Sequence, residues 1–331
     1  MTHPNNVLFQ TGSALPLIPA CEHFAGNEKF IRKAVALQLS LKVQFDVTCD
    51  CEDGAPTGQE HEHALMVGKL MAELSSSKNR LGVRIHDPRH QACHDDVDIL
   101  ITEAGQNISY LTIPKPLGYD DAVRTVEYIH NVAAKSGVPT PPIHILIETQ
   151  SALSEVFQIA SIAGLQGLTF GLLDFVSDHQ GAVPASAMRS PNQFAHQLIS
   201  RAKTEVGAAA LRYGLIATHN PCLEIQDRSV AFNDAKTARD SYGYMRMYSI
   251  HPSQIESIIS GMQPSEDEIE TAGEILLAAQ AADWGPISHR NEMHDRASYR
   301  YFWNLLQRAH VNGTPISTEA KNSFFNKFFK E

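Results

Sequence analysis

Residues 144–178 read HILIETQSALSEVFQIASIAGLQGLTFGLLDFVSD, and this stretch decides the fold. Ile143, Ile145 and Ile147 alternate with His144 and Leu146 in a short, almost wholly apolar run that ends at Glu148. Such a run suits a strand buried on both faces, as in a parallel sheet. Across 152–163 the apolar residues Leu153, Val156, Phe157 and Ala160 fall at helical spacing. Gly164 and Gly167 bracket the return, and 168–173 is a second buried run closed by Asp174. The pattern predicts strand, helix and parallel strand, with a carboxylate at the end of each strand. Two acids so placed can converge on one hard cation, because Mg²⁺ is typically held by one or two carboxylates plus substrate and water. A carboxylate there can also be only the N-cap of the next helix, though Glu is a poor cap.

The alternation repeats outward from this pair. Strand-like runs precede it at 6–12, 43–48, 81–85 and 110–113, and follow it at 214–218 and 245–250. Helical spacing falls between them at 29–40, 61–74, 95–105, 120–136, 194–213 and 232–242. Eight strand-like runs alternating with helices imply parallel strands with crossover connections. The expected fold is therefore α/β, a (β/α)₈ TIM barrel. An open doubly wound sheet is the alternative, but no G-x-G-x-x-G follows the first run. Catalytic groups of such a barrel sit at the C-terminal strand ends. There the chain places Asp50, Glu52 and Asp53, then Arg84, Lys115, Glu148, Asp174 and His251. The polar loop 177–192 is long enough to be functional.

Residues 1–262 are assigned to the barrel and 263–331 to a small C-terminal helical lid. Ser265 and Glu268 form a capping box that opens one helix, and Asp295 begins another carrying Tyr301, Phe302 and Trp303. The extension is too small to hold a core alone, so it is expected to pack on the barrel or on a neighbouring subunit. Phe324, Phe325, Phe328 and Phe329 have helical spacing and leave an apolar face to be covered.

Composition narrows the function. The chain has 331 residues, 43% hydrophobic and 19% charged, with a formal net charge of −10. No dense run of Lys and Arg offers a phosphate footprint, which argues against nucleic acid. No apolar run approaches the roughly 20 residues that span a bilayer, and residues 1–13 lack the features of a secretory signal. Five scattered cysteines suit reduced thiols in a cytoplasmic protein. Cys49 and Cys51 would share one strand face, a packing role. His61 and His63 read as solvated, and His90 and His94 as a helical-face pair without a supporting acid.

Taken in order, the motifs resemble the citrate lyase beta subunit and malyl-CoA lyase group of the HpcH/HpaI aldolase superfamily. Asp50-Cys51-Glu52-Asp53-Gly54 is similar to that group's D-L-E-D-A, Val83-Arg84-Ile85 to V-R-I-N, and Ile113-Pro114-Lys115 to I-P-K. Ile147-Glu148-Thr149 matches I-E-T, and Phe170 to Asp174 matches F-G-x-x-D. Residues 249–255 resemble A-I-H-P-S-Q-I, and Met293 to Arg296 the G-x-M-I-D-R of the lid. Departures are Gln10-Thr11-Gly12 for a terminal P-G, and His86 for the Asn after V-R-I.

The resemblance implies a Mg²⁺-dependent carbon–carbon lyase acting on a 3-hydroxyacyl-CoA such as citryl-CoA or malyl-CoA, releasing or condensing a 2-keto acid. It implies metal ligation by Glu148 and Asp174, a keto or enolate oxygen held by Arg84, and a carboxylate held near Gly171, Leu172 and Leu173, with Lys115 beside them. Glu52 and Asp53 would orient Arg84 or water, with Asp50 and His251 behind. Asp295 would act as acid or base in an adjacent subunit's site, within a homotrimer or hexamer. A free-acid aldolase releasing pyruvate, or a non-catalytic keto-acid-binding subunit of a larger complex, remain the alternatives.

Overall fold

A computed structural model describes residues 2–9, 15–41 and 43–326. The chain divides into two compact units, Pro19–Met262 and Met1–Ile18 with Gln263–Glu331.

In the first unit eight parallel strands close into a barrel: β1 (Cys21–Ala25), β2 (Asp46–Asp50), β3 (Leu81–Arg84), β4 (Tyr110–Ile113), β5 (Ile143–Ile147), β6 (Leu165–Phe170), β7 (Ile216–His219) and β8 (Arg246–Ser249). Each strand pairs with its sequence neighbours, and β1 closes on β8 with Glu22 opposite Tyr248. The period of two divides each strand between faces. Val47, Cys49, Val83, Leu111, Ile145 and Ile147 join Ile31, Val67 and Leu100 of the surrounding helices in one core. That core is what holds the strand ends in register for the site.

The lower end of the barrel interior is charged. Arg246 is fully buried, its Nη1 donating to Asp46 Oδ2 at 2.7 Å and its Nη2 to Glu22 Oε2 at 3.0 Å. Thr48 Oγ1 donates to Glu22 and meets Tyr110 Oη at 2.6 Å, and His144 stacks on the Tyr110 ring. Removing ions from water is expensive, so this layer holds only because each charge meets an opposite one with good geometry.

Three expectations need correction. The first strand is Cys21–Ala25, not 6–12: Pro4–Leu8 is a helix with Pro at its first position, and Gln10 to Gly12 lie outside the described residues. β6 ends at Phe170, and Asp174 sits in the first turn of a helix, Leu172–Asp178, rather than at the strand end. The barrel begins at Pro19, and the segment before it belongs with 263–331. In that second unit the short helix completes a small core. Leu8 clusters with Ile269, Trp284, Tyr299, Trp303 and Leu306, and Asn5 Oδ1 accepts from Trp303 Nε1 at 2.7 Å. Helices Glu266–Ala281, Arg296–Val311 and Thr318–Phe324 and the hairpin Ile287–His289/Glu292–His294 make up the rest. Phe324 is buried there and Phe325 stacks on His310, while Phe328 and Phe329 lie outside the described residues. Among the described residues no helix is long and apolar enough to cross a membrane.

Candidate active site

The C-terminal strand ends of the barrel gather most of the residues singled out in the sequence. Asp50 ends β2 and faces Arg84 at the end of β3. Arg84 donates from Nε to Asp50 Oδ1 at 2.7 Å and from Nη2 to Asp50 Oδ2 at 2.6 Å, a two-pronged pair. The same carboxylate accepts the amide N–H groups of Glu52 and Gly54, so it shapes the turn and holds the guanidinium together. The third side of the fork meets Glu52 Oε2 at 3.0 Å. His63, read as solvated, is instead buried, its Nε2 donating to the Asp50 carbonyl at 2.9 Å.

Lys115 follows β4 between two prolines, with φ at 49°. A side chain in this left-handed region is held there by its surroundings at some cost. The conformation aims two groups at once. Its amide N–H donates to Glu148 Oε1 at 2.9 Å, while Nζ lies 2.5 Å from Glu52 Oε1, 2.7 Å from Asp53 Oδ2 and 3.4 Å from Asp174 Oδ1. Burial raises the Glu52 carboxyl above its ordinary range against the pull of Arg84 and Lys115. Burial pushes Asp53 upward too, but its contact with Lys115 wins and leaves that carboxyl below the usual value.

Glu148, directly after β5, is 1% exposed. Burial, followed by the neighbouring Asp174 charge, pushes its pKa up to about 8. An acid withdrawn from water beside a second acid favours a proton or a cation. Asp174 is two-fifths exposed and shares the cleft wall with Glu148. Gly171 lets the two elements approach: an added Cβ would lie 2.6 Å from Glu148 Cβ and closer still to Oε2. No set of three or more His, Cys, Asp or Glu side chains in metal-binding geometry occurs among the described residues. Glu148 and Asp174 would offer oxygen donors alone, with the remaining positions left to water and ligand, a set that suits Mg²⁺ and not a closed structural site.

The cleft holds about 280 Å³. Asp50, Asp53, Arg84, Glu148 and Asp174 form its polar end, and Phe24, Leu173, Pro221, Tyr248 and Ile250 line the remainder. Phe24, Tyr248, Pro221 and Ile250 are lining residues that no sequence motif singles out. With β1 assigned to 6–12, Phe24 had no strand, although the alternation of Glu22, Phe24 and Gly26 before the next helix was a signal.

Of the expected carboxylate holders, the Gly171 N–H is already given to the Ile147 carbonyl at 3.1 Å. Leu172 and Leu173 head the helix, where amides lack intrahelical acceptors. His251 caps the turn Pro252–Gln254, accepting from the Ser253 N–H, so its ring serves that turn. His90 stacks on His86, which is paired with Asp96, and His94 stacks on Tyr128. The loop 177–192 is tied back by Ser190, which donates to Asp234. Gln193, just beyond it, bridges Asp234 and the buried Lys203. Asp295 lies in the other unit, exposed, as the N-cap of Arg296–Val311, its Oδ1 accepting from the Ala297 N–H at 2.8 Å.

No family model matches the sequence. A crystal structure of a citrate lyase from Burkholderia xenovorans LB400 is 45% identical, superimposes with a TM-score of 0.81, and covers 96% of this chain and 98% of its own. The chain belongs to the citrate lyase beta subunit and malyl-CoA lyase family. This family of carbon–carbon lyases also includes an L-malyl-CoA/beta-methylmalyl-CoA lyase from Cereibacter sphaeroides, 23% identical over 294 residues, which span 85% of this chain and 92% of that one. The protein CitE from Mycobacterium tuberculosis, crystallised with magnesium, acetoacetate and coenzyme A, shares the fold at 18% identity. Its TM-score is 0.66, with 88% of this chain and 98% of that one covered.

Proposed function

We propose that this family member is a Mg²⁺-dependent lyase that cleaves or forms the bond between an acyl-CoA and a 2-keto acid. The observation that carries the reading is the pair Glu148 and Asp174 lining one cleft together with an arginine already locked in place. The Mg²⁺ and keto acids held by fold relatives, among them CitE with oxaloacetate and with pyruvate, support it.

When bound, the ion supplies a Lewis acid beside the reacting oxygen. Glu148 and Asp174 hold it. Cleavage passes the proton of the 3-hydroxyl to a water in the cleft and breaks the carbon–carbon bond, leaving the 2-keto acid. The electron pair moves onto the thioester carbonyl as an enolate, which a proton at carbon then quenches. Arg84 gives two of its five N–H groups to Asp50 and pairs with Glu52 through charge, leaving N–H groups for the oxygen where charge develops. Its rigid seat means no reorganisation is needed as that charge appears. Lys115 keeps Glu52 and Asp53 fixed and its amide orients Glu148. The leading amides at Leu172 and Leu173 suit the keto-acid carboxylate. On this reading Asp295 exchanges the proton at the acyl carbon, reaching the cleft of an adjacent subunit in a trimer or hexamer.

Asp174→Asn tests the assignment in one variant. The amide keeps the shape and removes the charge, so the Mg²⁺-dependent rise in Tm and turnover of malyl-CoA or citramalyl-CoA should both be lost with the fold intact. A variant with normal Mg²⁺ response and turnover refutes the ligand pair. Turnover of free hydroxy-keto acids, and not of thioesters, would instead select the free-acid aldolase.

A further inference from the structure

Lys115 touches both acids of the ion site on which the function proposed above rests. Its backbone, between Pro114 and Pro116, takes φ 49°, a region that is costly for a residue with a side chain. That turn presents two groups of different use. The amide N–H donates to Glu148 Oε1 at 2.9 Å, which leaves the other oxygen, Oε2, beside Gly171. The ammonium meets the second acid, with Nζ 3.4 Å from Asp174 Oδ1.

Nζ is also anchored away from water. It stands 2.5 Å from Glu52 Oε1 and 2.7 Å from Asp53 Oδ2, and the side chain is only 19% exposed. Glu52 is itself paired with Arg84, so the ammonium is held at the edge of the ion site and not left to swing into solvent. An ion on the Asp174 carboxylate, at ~2.1 Å from its oxygen, would lie within a few ångströms of that charge. Two cations sharing one carboxylate repel each other, whereas an anion bound beside the ion is drawn by both.

We infer that Lys115 sets the strength of the ion site: its charge holds Mg²⁺ affinity down and raises that of the keto-acid anion. The ion is thus held loosely alone and firmly once the acid shares it.

Lys115→Met and Lys115→Gln remove the charge and keep the amide bond to Glu148, so they test the inference directly. Each full chain is titrated with Mg²⁺ alone by calorimetry, then with pyruvate and with oxaloacetate in saturating Mg²⁺. Both variants should bind Mg²⁺ about tenfold tighter and the keto acid about threefold to tenfold weaker, the order of effect a unit charge has at this range. Lys115→Arg keeps the charge, so both affinities should stay near wild type. Opposite signs are the signature, since a residue that served only as scaffold would weaken both ligands together. Unchanged or weaker Mg²⁺ binding in the folded neutral variants overturns the inference and leaves the lyase reading standing, as does a keto acid that binds no weaker. Lys115→Arg behaving like Lys115→Met overturns it too, because charge would not be the cause. A wild-type chain that binds no Mg²⁺ removes the ligand pair, and the inference falls with it.

Discussion

Replacing Gly171 by alanine should disable the site by a displacement that can be worked out beforehand. The backbone there, φ −99° and ψ 91°, is open to alanine, so any effect is steric and not conformational. The new Cβ would sit 2.6 Å from Glu148 Cβ, whereas ordinary contact begins at 3.4 Å, so one side must yield by about 0.8 Å. Neither backbone can retreat easily, because Gly171 N–H is bonded to the Ile147 carbonyl, one residue before Glu148. The Glu148 Cβ moves only with its own backbone, so the end of β5 must shift against that bond and carry the carboxylate with it, and the bond from the Lys115 amide at 2.9 Å is the first to break. Misplacing a catalytic constellation by close to 1 Å costs on the order of 100-fold in rate. Crowding a packed contact costs about 1–3 kcal/mol of stability. Turnover measured with the Mg²⁺ dependence of Tm checks both figures. Wild-type turnover together with an unchanged Mg²⁺ midpoint would refute the claim that Gly171 sets the position of Glu148.

Three further outcomes are expected. Because ion-free Glu148 keeps its proton up to about pH 8, a metal ion must expel that proton. Apparent Mg²⁺ affinity should climb about tenfold per pH unit below 8 and level off above it. The ion-free protein should lose stability over the same rise, as the buried carboxyl is forced to ionise. Titrations from pH 6.5 to 9 settle the sign, and a flat profile contradicts it. Arg246→Met leaves Glu22 buried without its cation and Asp46 with Arg80 alone, and denaturant unfolding should show a loss of about 3–5 kcal/mol. A loss below about 1 kcal/mol would mean that layer is hydrated. Asp295→Asn preserves helix capping, since Asn is as good an N-cap as Asp, so Tm should hold while kcat falls about 10²–10⁴-fold. Unchanged kcat would reduce Asp295 to its cap.

Much of this arrangement could be read from the chain, for reasons that also explain the failures. Strands such as Ile143–Ile147 are apolar enough for period and length to mark them. β1 is not, because Glu22 and His23 interrupt it. Glu22 is acceptable there only through Arg246, 224 positions away, a partner no local pattern reveals. Asp174 was legible as a site acid but not as a helical one. Leu172 and Leu173 prolong the apolar run and hide the strand's end at Phe170. His63 looked like a polar helix residue, and its burial follows from a tertiary bond to the Asp50 carbonyl. The short helix Pro4–Leu8 was masked by Val7, Leu8 and Phe9, which mimic a strand.

That same helix has a consequence for how the chain is made. Asn5 and Trp303 bond across 298 positions, and at ~5–20 residues per second the ribosome needs about 15–60 s to travel between them. The barrel unit, contiguous from Pro19 to Met262, is synthesised wholly within that interval. The opening segment must therefore wait, with Leu8 uncovered, until the closing helices emerge. Translation order thus makes the earliest residues among the last to dock.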